Sequence, residues 1–174
     1  MPTTTELQES FQEFTSANLS HLVKIARSLT GNADAADELV QTAMEKACRS
    51  WSKVMRATDQ LSYVRRILVN SAYDSWRRKR RFLQIFQPSD DPAEPVSRSS
   101  WGDPQHNLDR SAVIEELMRP LSPRERAVIT LRFLADLTEA ATAYELGIAV
   151  GTVKSTTARA LNKMRVVDIE TIGA

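Results

Sequence analysis

Four prolines, Pro88, Pro92, Pro95 and Pro104, fall between Gln87 and Asn107 among Ser, Asp and Gly, with no hydrophobic period. Proline fixes its own φ and has no amide hydrogen to donate, so such a run interrupts both helix and sheet. The stretch is also too polar to bury a core of its own and reads as a flexible linker. It splits the 174 residues into two segments, 6–86 and 108–170, each long enough for one small domain.

Both segments carry the period of amphipathic helices. Residues from about 6 to 29 place Leu7, Phe11, Phe14, Leu19, Leu22, Val23, Ile25, Ala26 and Leu29 at roughly helical spacing, and Gly31 can take the left-handed cap that ends a helix. A second helix is expected from Asp34, with Ala36, Leu39, Val40, Ala43, Met44 and Ala47 on one face. After a polar stretch, Ser52 to Gln60, a third runs from Leu61 to Arg81 on Val64, Ile67, Leu68, Ala72 and Trp76. Beyond the linker, Ser122-Pro123-Arg124-Glu125 is a helix start: Ser122 caps, Pro123 suits the first helical position and Glu125 reaches back. A short helix, 138–145, and a longer one, 151–164, follow. With only five glycines and little β-branched alternation, an all-β fold is excluded. The expected fold class is all-α: two helical domains joined by a flexible linker.

The composition also narrows the chemistry. One cysteine, Cys48, excludes an internal disulfide and a multi-cysteine zinc site. Two histidines, His21 and His106, are too few for a conventional metal centre or a Ser/His nucleophile. No Walker loop, metal-ligand cluster or triad spacing is present, so neither cofactor nor enzymatic activity is expected. The polar start is no signal peptide, and no apolar run approaches the ~20 residues of a membrane span; a cytosolic protein is expected. The net charge of +1 is uninformative, but seven cations against one carboxylate fall between positions 65 and 81, which is a basic patch suited to nucleic acid.

The most specific pattern lies between Thr138 and Arg165. A DNA-reading helix-turn-helix needs a small residue where its helices cross, a glycine in the turn and apolar residues seating the second helix. Ala143, Gly147, and Leu146, Ile148 and Val153 fill these positions. Thr152, Lys154, Ser155, Thr156 and Arg159 are then expected toward the exposed side, where they reach base edges and phosphates. The string Leu146-Gly147-Ile148-Ala149-Val150-Gly151-Thr152-Val153-Lys154-Ser155, with the run from Leu121 to Phe133 before it, resembles the C-terminal region of extracytoplasmic-function sigma factors of the sigma-70 class. That resemblance covers about residues 110–166. It implies a domain that reads the upstream (−35) promoter element and docks on the flap of the polymerase β subunit. Departures from the family at Ala141, Ala149, Thr156 and Thr157 predict a missing half of a capping box, fewer phosphate contacts and a looser helix seat.

Val64-Arg65-Arg66-Ile67-Leu68-Val69-Asn70, then Asp74 and Trp76-Arg77-Arg78, resembles the same family's downstream (−10) element and melting region. The resemblance makes Arg65, Arg66, Asn70, Arg77, Arg78 and Arg80 candidate DNA contacts, and Asp74 a structural partner for Arg77 or Arg78. It makes Ser52 to Gln60 the specificity loop, with Lys53 and Arg56 as backbone contacts. Tyr73 and Trp76 serve either as stacking platforms or as core. Asp37-Glu38-Leu39-Val40-Gln41 resembles the family's second helix, which implies that Asp37, Glu38 and Gln41 bind the coiled-coil clamp of the β′ subunit; Thr42 stands where an acid is common. The acidic linker, with Asp90, Asp91, Glu94 and Asp103, serves either as a mimic of nucleic acid in a basic channel or as a spacer, and Trp101 within it either packs onto a domain or anchors to a partner. The expected function is an alternative sigma factor, with RNA polymerase core and promoter DNA as partners and an anti-sigma factor as a further candidate. The competing reading is a stand-alone helix-turn-helix regulator, which is usually a dimer on a palindrome.

Overall fold

The computed structural model describes residues 3–86 and 108–172. The linker, including Trp101 and its four acidic residues, lies outside the described residues. Within them every regular element is a helix, as the periodicity predicts.

Helix α1 (Thr4–Thr30) starts on a closed capping box, with the Glu6 amide donating to Thr3 Oγ1 at 3.3 Å and the Thr3 amide to Glu6 Oε2 at 2.6 Å. It stops at Gly31, whose φ of 66° only a residue without Cβ adopts freely. Asn32 caps α2 (Ala33–Arg49) by accepting from the Ala35 amide. The expected polar loop is partly helical: Trp51–Val54 forms the single turn α3, because Trp51 and Val54, three apart, are both buried. Trp51 meets Phe11 edge-on at 5.0 Å and Phe14 at 5.1 Å. Helix α4 (Gln60–Phe86) completes the N-terminal unit. Leu22, Ile25 and Leu29 of α1, Leu39, Val40 and Ala43 of α2, and Val64, Leu68 and Ala72 of α4 fill its core.

The C-terminal unit holds α5 (Leu108–Met118), α6 (Pro123–Ile129), α7 (Glu139–Leu146) and α8 (Val150–Ile172). The Ser122–Glu125 capping box opens α6 with Pro123 in its first turn, as the sequence predicts. Beyond α6 the helix widens into a π-turn, Thr130–Leu134, which no sequence pattern signals. There the Ala135 amide reaches Thr130 O at 3.0 Å, Arg132 donates to Leu137 O, and Asp136 adopts a φ of 51°. Two small cores form around α6: Met118, Leu121, Ile129 and Ala160 make one, and Val128, Ala143 and Val153 the other.

The two units are not separate. Ala127 and Leu131 belong to the N-terminal core, and Ala135, Leu137 and Leu146 pack against it. The hydroxyls of Ser28 and Thr130 share a hydrogen bond of 2.7 Å. The linker therefore connects two units that already touch through an apolar face of α6 and the π-turn. Among the described residues no helix is long and apolar enough to cross a membrane.

Candidate nucleic-acid interface

Helix α4 buries Val64, Leu68, Val69 and Ala72, which turns Asn70, Arg77, Arg78 and Arg80 to the exposed side. Those four expected contact residues lie along one basic helix. Lys53 and Arg56, on α3 and just after it, are exposed as well. Tyr73 and Trp76 pair edge-on at 5.0 Å and pack against the core, so both are half-buried rather than free stacking platforms. Burial also pushes the Tyr73 phenol up, against the pull of Arg124. Asp74 makes no ion pair with Arg77 or Arg78 among the described residues; it is exposed instead.

Arg65 and Arg66 depart from the expectation of free cations. Arg65 is 4% exposed and donates from Nε to Glu145 Oε2 at 2.8 Å, with Glu145 itself 3% exposed. Ser62 adds a bond to Glu145 Oε1 at 2.8 Å. The Arg66 guanidinium lies over the Tyr144 ring, 4.8 Å from its centroid. Glu145 and Tyr144 are neighbours on α7, so α7 packs on α4 at Ser62, Arg65 and Arg66. The physical reason for the burial is register. Arg65 precedes Leu68 by three residues and Val69 by four, which puts it on the inward stripe. That spacing was the available signal; the partner, 80 residues away, left none.

In the helix-turn-helix, Thr138 caps α7 by accepting from the Ala141 amide at 3.1 Å, and α7 ends at Gly147 with φ 63°. The Ile148 amide returns to Ala143 O at 3.0 Å, closing the turn. Ala143 and Val153 are buried where α7 and α8 cross, beside the half-buried Leu146 and Ile148. Helix α8 then presents Lys154, Ser155 and Arg159 outward, with Thr152 half-buried. Thr156 corrects the expected register. It is 1% exposed, on the inward row Val153–Thr156–Ala160, and its hydroxyl accepts from Arg159 Nη2 at 3.4 Å. The next residue, Thr157, turns its hydroxyl back to Val153 O at 2.8 Å.

Two acidic partners of α8 carry no sequence signal. Glu139 of α7 lies 3.7 Å from Lys154, and Glu125 of α6 bonds Lys163 at 2.8 Å. Burial alone raises the Glu125 carboxyl; the bonds from Lys163 and from the Ser122 amide and hydroxyl outweigh it and hold the group below its ordinary range. On α2, Asp37, Glu38 and Gln41 are all exposed, and Gln41 Nε2 donates to Glu45 Oε1 at 3.2 Å. These side chains form a polar face remote from the core residues Leu39, Val40 and Ala43.

Comparison with known proteins matches residues 14–82 to Sigma-70 region 2 and residues 111–164 to Sigma-70 region 4. The first match holds most of α1 and α4, and the second holds the helix-turn-helix. An RNA polymerase sigma-E factor of Streptomyces antibioticus is 30% identical over 157 residues, covering 89% of this chain and 82% of the relative. The RNA polymerase sigma factor SigV of Bacillus subtilis is 31% identical over 143 residues, with 82% and 81% covered. Among solved structures, the sigma factor RpoE of Bartonella quintana, in complex with the anti-sigma factor NepR, superposes with a TM-score of 0.71 at 25% identity. The match covers 91% of this chain and 96% of that one.

Proposed function

This chain belongs to the sigma-70 family, and from that premise we propose that it is an alternative sigma factor of the extracytoplasmic-function type. It directs RNA polymerase core to particular promoters and helps to open the −10 region. The observation that carries this reading is the presence in one chain of both regions, the basic helix α4 within the first and the helix-turn-helix within the second.

The roles divide by chemistry. The unit spanning residues 6–86 binds core through Asp37, Glu38 and Gln41, whose carboxylates and amide suit a basic clamp surface on β′. Arg77, Arg78 and Arg80 draw the phosphates of the opening strand to α4. Asn70 offers a donor and an acceptor to a base edge. Lys53 and Arg56 hold backbone beside them, and Arg65 and Arg66 join this surface once α7 has moved off it. The unit spanning 108–170 takes the −35 duplex on α8, with Lys154 and Arg159 toward phosphate or guanine and Thr152 and Ser155 as neutral donors. The polymerase carries the bond-making chemistry, and this subunit is not an enzyme. It acts in the cytosol with the polymerase, and an anti-sigma protein is a further partner.

Reconstitution with core polymerase, followed by selection of promoters from genomic fragments, tests the reading. Transcripts starting at a shared pair of elements are expected only when both proteins are present. Tight binding to duplex without any effect on core would instead mark a stand-alone regulator.

A further inference from the structure

We infer that Thr156 is a positioning residue for base reading: its buried hydroxyl holds the Arg159 guanidinium in one orientation, so that Arg159 reads a base edge while Lys154 serves phosphate. The inference rests on the assignment of α8 to the −35 duplex made above, and adds which of the two cations carries sequence. Three hydroxyls follow one another at Ser155, Thr156 and Thr157. Ser155 and Thr157 donate back to the carbonyls of Thr152 and Val153, at 3.2 and 2.8 Å. Thr156 instead accepts from a charged side chain, Arg159 Nη2, at 3.4 Å. Thr156 is 1% exposed, so the packing of α8 fixes its oxygen, whereas Arg159 one turn on is exposed. An inward residue thus aims an outward one.

Arginine has a long chain with many rotamers, and a two-bond contact to guanine needs its planar fork in one of them. A neutral acceptor selects an orientation without cancelling the charge. Nη2 carries two hydrogens; Thr156 takes one, and the other stays beside those of Nη1 for a base edge. The tether therefore survives DNA binding, and the side chain is ordered before DNA arrives. Lys154 is held differently. Its partner is Glu139 at 3.7 Å, and the two side chains are 64% and 39% exposed. That carboxylate competes with phosphate for the same ammonium, so DNA must displace it. The ammonium itself is a point charge with no fork to aim. The Arg159 contact therefore depends on orientation, and the Lys154 contact on charge.

Holenzyme reconstituted from the full chain and core polymerase tests the inference. The probe is a fluorescent duplex carrying a promoter recovered in the selection above, with each base pair of its upstream element changed in turn. Arg159→Ala is expected to remove discrimination at one base pair. Thr156→Val keeps the shape and deletes the hydroxyl. It is expected to cut discrimination at that same base pair by about three- to fivefold, the size of one weak hydrogen bond. Tm should not fall, and the salt slope should not change, because no phosphate contact is lost. Thr156→Ser keeps the hydroxyl and should keep the discrimination. In the Arg159→Ala background, Thr156→Val should change nothing further at that base pair. Glu139→Gln should do the reverse, tightening every duplex by about twofold with the base-pair profile unchanged. An unchanged profile in Thr156→Val overturns the inference. So does a loss spread evenly over all duplexes, since Thr156 is then only part of the core, and so does a loss that persists without Arg159. Altered discrimination in Glu139→Gln overturns the division between the two cations. If Thr156→Val does not assemble with core, Thr156→Ala, which deletes the hydroxyl and adds nothing, decides by the same profile. Failure of the sigma assignment shows separately, as a wild-type chain that recovers no promoter in the selection.

Discussion

Thr156 stands on the inward row of α8 between Val153 and Ala160, all three almost fully buried. A basic side chain there does not meet phosphate; it meets a core. Thr156→Arg is therefore expected to destabilise the chain by about 2–4 kcal/mol, the range for an unpaired charge forced into an interior. Thermal denaturation followed by circular dichroism reads it as a fall in Tm, and a gain in DNA affinity at unchanged Tm would show the opposite register. Thr142 gives the converse case. It is fully buried and its hydroxyl has no hydrogen-bond partner among the described residues. Thr142→Val keeps the shape and removes a polar group whose desolvation nothing offsets, so stability should rise by about 1 kcal/mol. At this chain length that is about 2–4 °C in Tm. Thr156 shows where sequence reading stops. The period of α8 marks Val153 as buried, but a threonine three residues on has no hydrophobic signature and its polarity points outward. Arg65, 4% exposed, is another polar side chain on an inward row.

At the scale of elements, what could be read was what is local. Ser122 and Thr138 cap their helices, and Gly31 and Gly147 end theirs, because a cap needs only its own few neighbours. The π-turn and the α3 turn were illegible, since packing against distant residues selects them. Glu125 joins the two levels: it completes the local box of α6 and also bonds Lys163, 38 residues on. Burial opposes its charge, yet these bonds leave its folded pKa below the ordinary 4.5. A carboxyl lowered in the folded state binds fewer protons than in the unfolded chain. Its contribution is then fully present above pH 4.5 and lost as pH falls through the lower folded value. Lys163→Met removes one of the causes that hold it down. The variant should lose stability at neutral pH and show a shallower decline below pH 4.5 than the wild-type chain. Urea titrations across that pH range compare the two slopes, and parallel curves would mean that Lys163 does not set the Glu125 charge.

For the whole molecule, the two units on either side of the linker share a core. Helix α6 uses both its faces. Val128 and Ile129 serve the C-terminal cores, while Ala127, with Leu131 just beyond it, enters the cluster built on α1 and α4. Leu131 is fully buried there, although it follows the linker in sequence. Leu131→Ala deletes three carbons from that shared core and should cost about 2–5 kcal/mol, through lost transfer energy and the cavity left behind. Trp51, seated between Phe11 and Phe14 near the far end of α1, belongs to the same cluster but lies in the other segment of the chain. If the shared core couples the units, unfolding is cooperative across them. The Trp51 fluorescence, read in a background with Trp76 and Trp101 replaced by Phe, should then shift to lower urea in Leu131→Ala. It should shift together with the loss of helicity measured by circular dichroism. A Trp51 transition at the unsubstituted midpoint, with helicity lost in a separate earlier step, would mean that the C-terminal unit detaches first and that the N-terminal core stands alone.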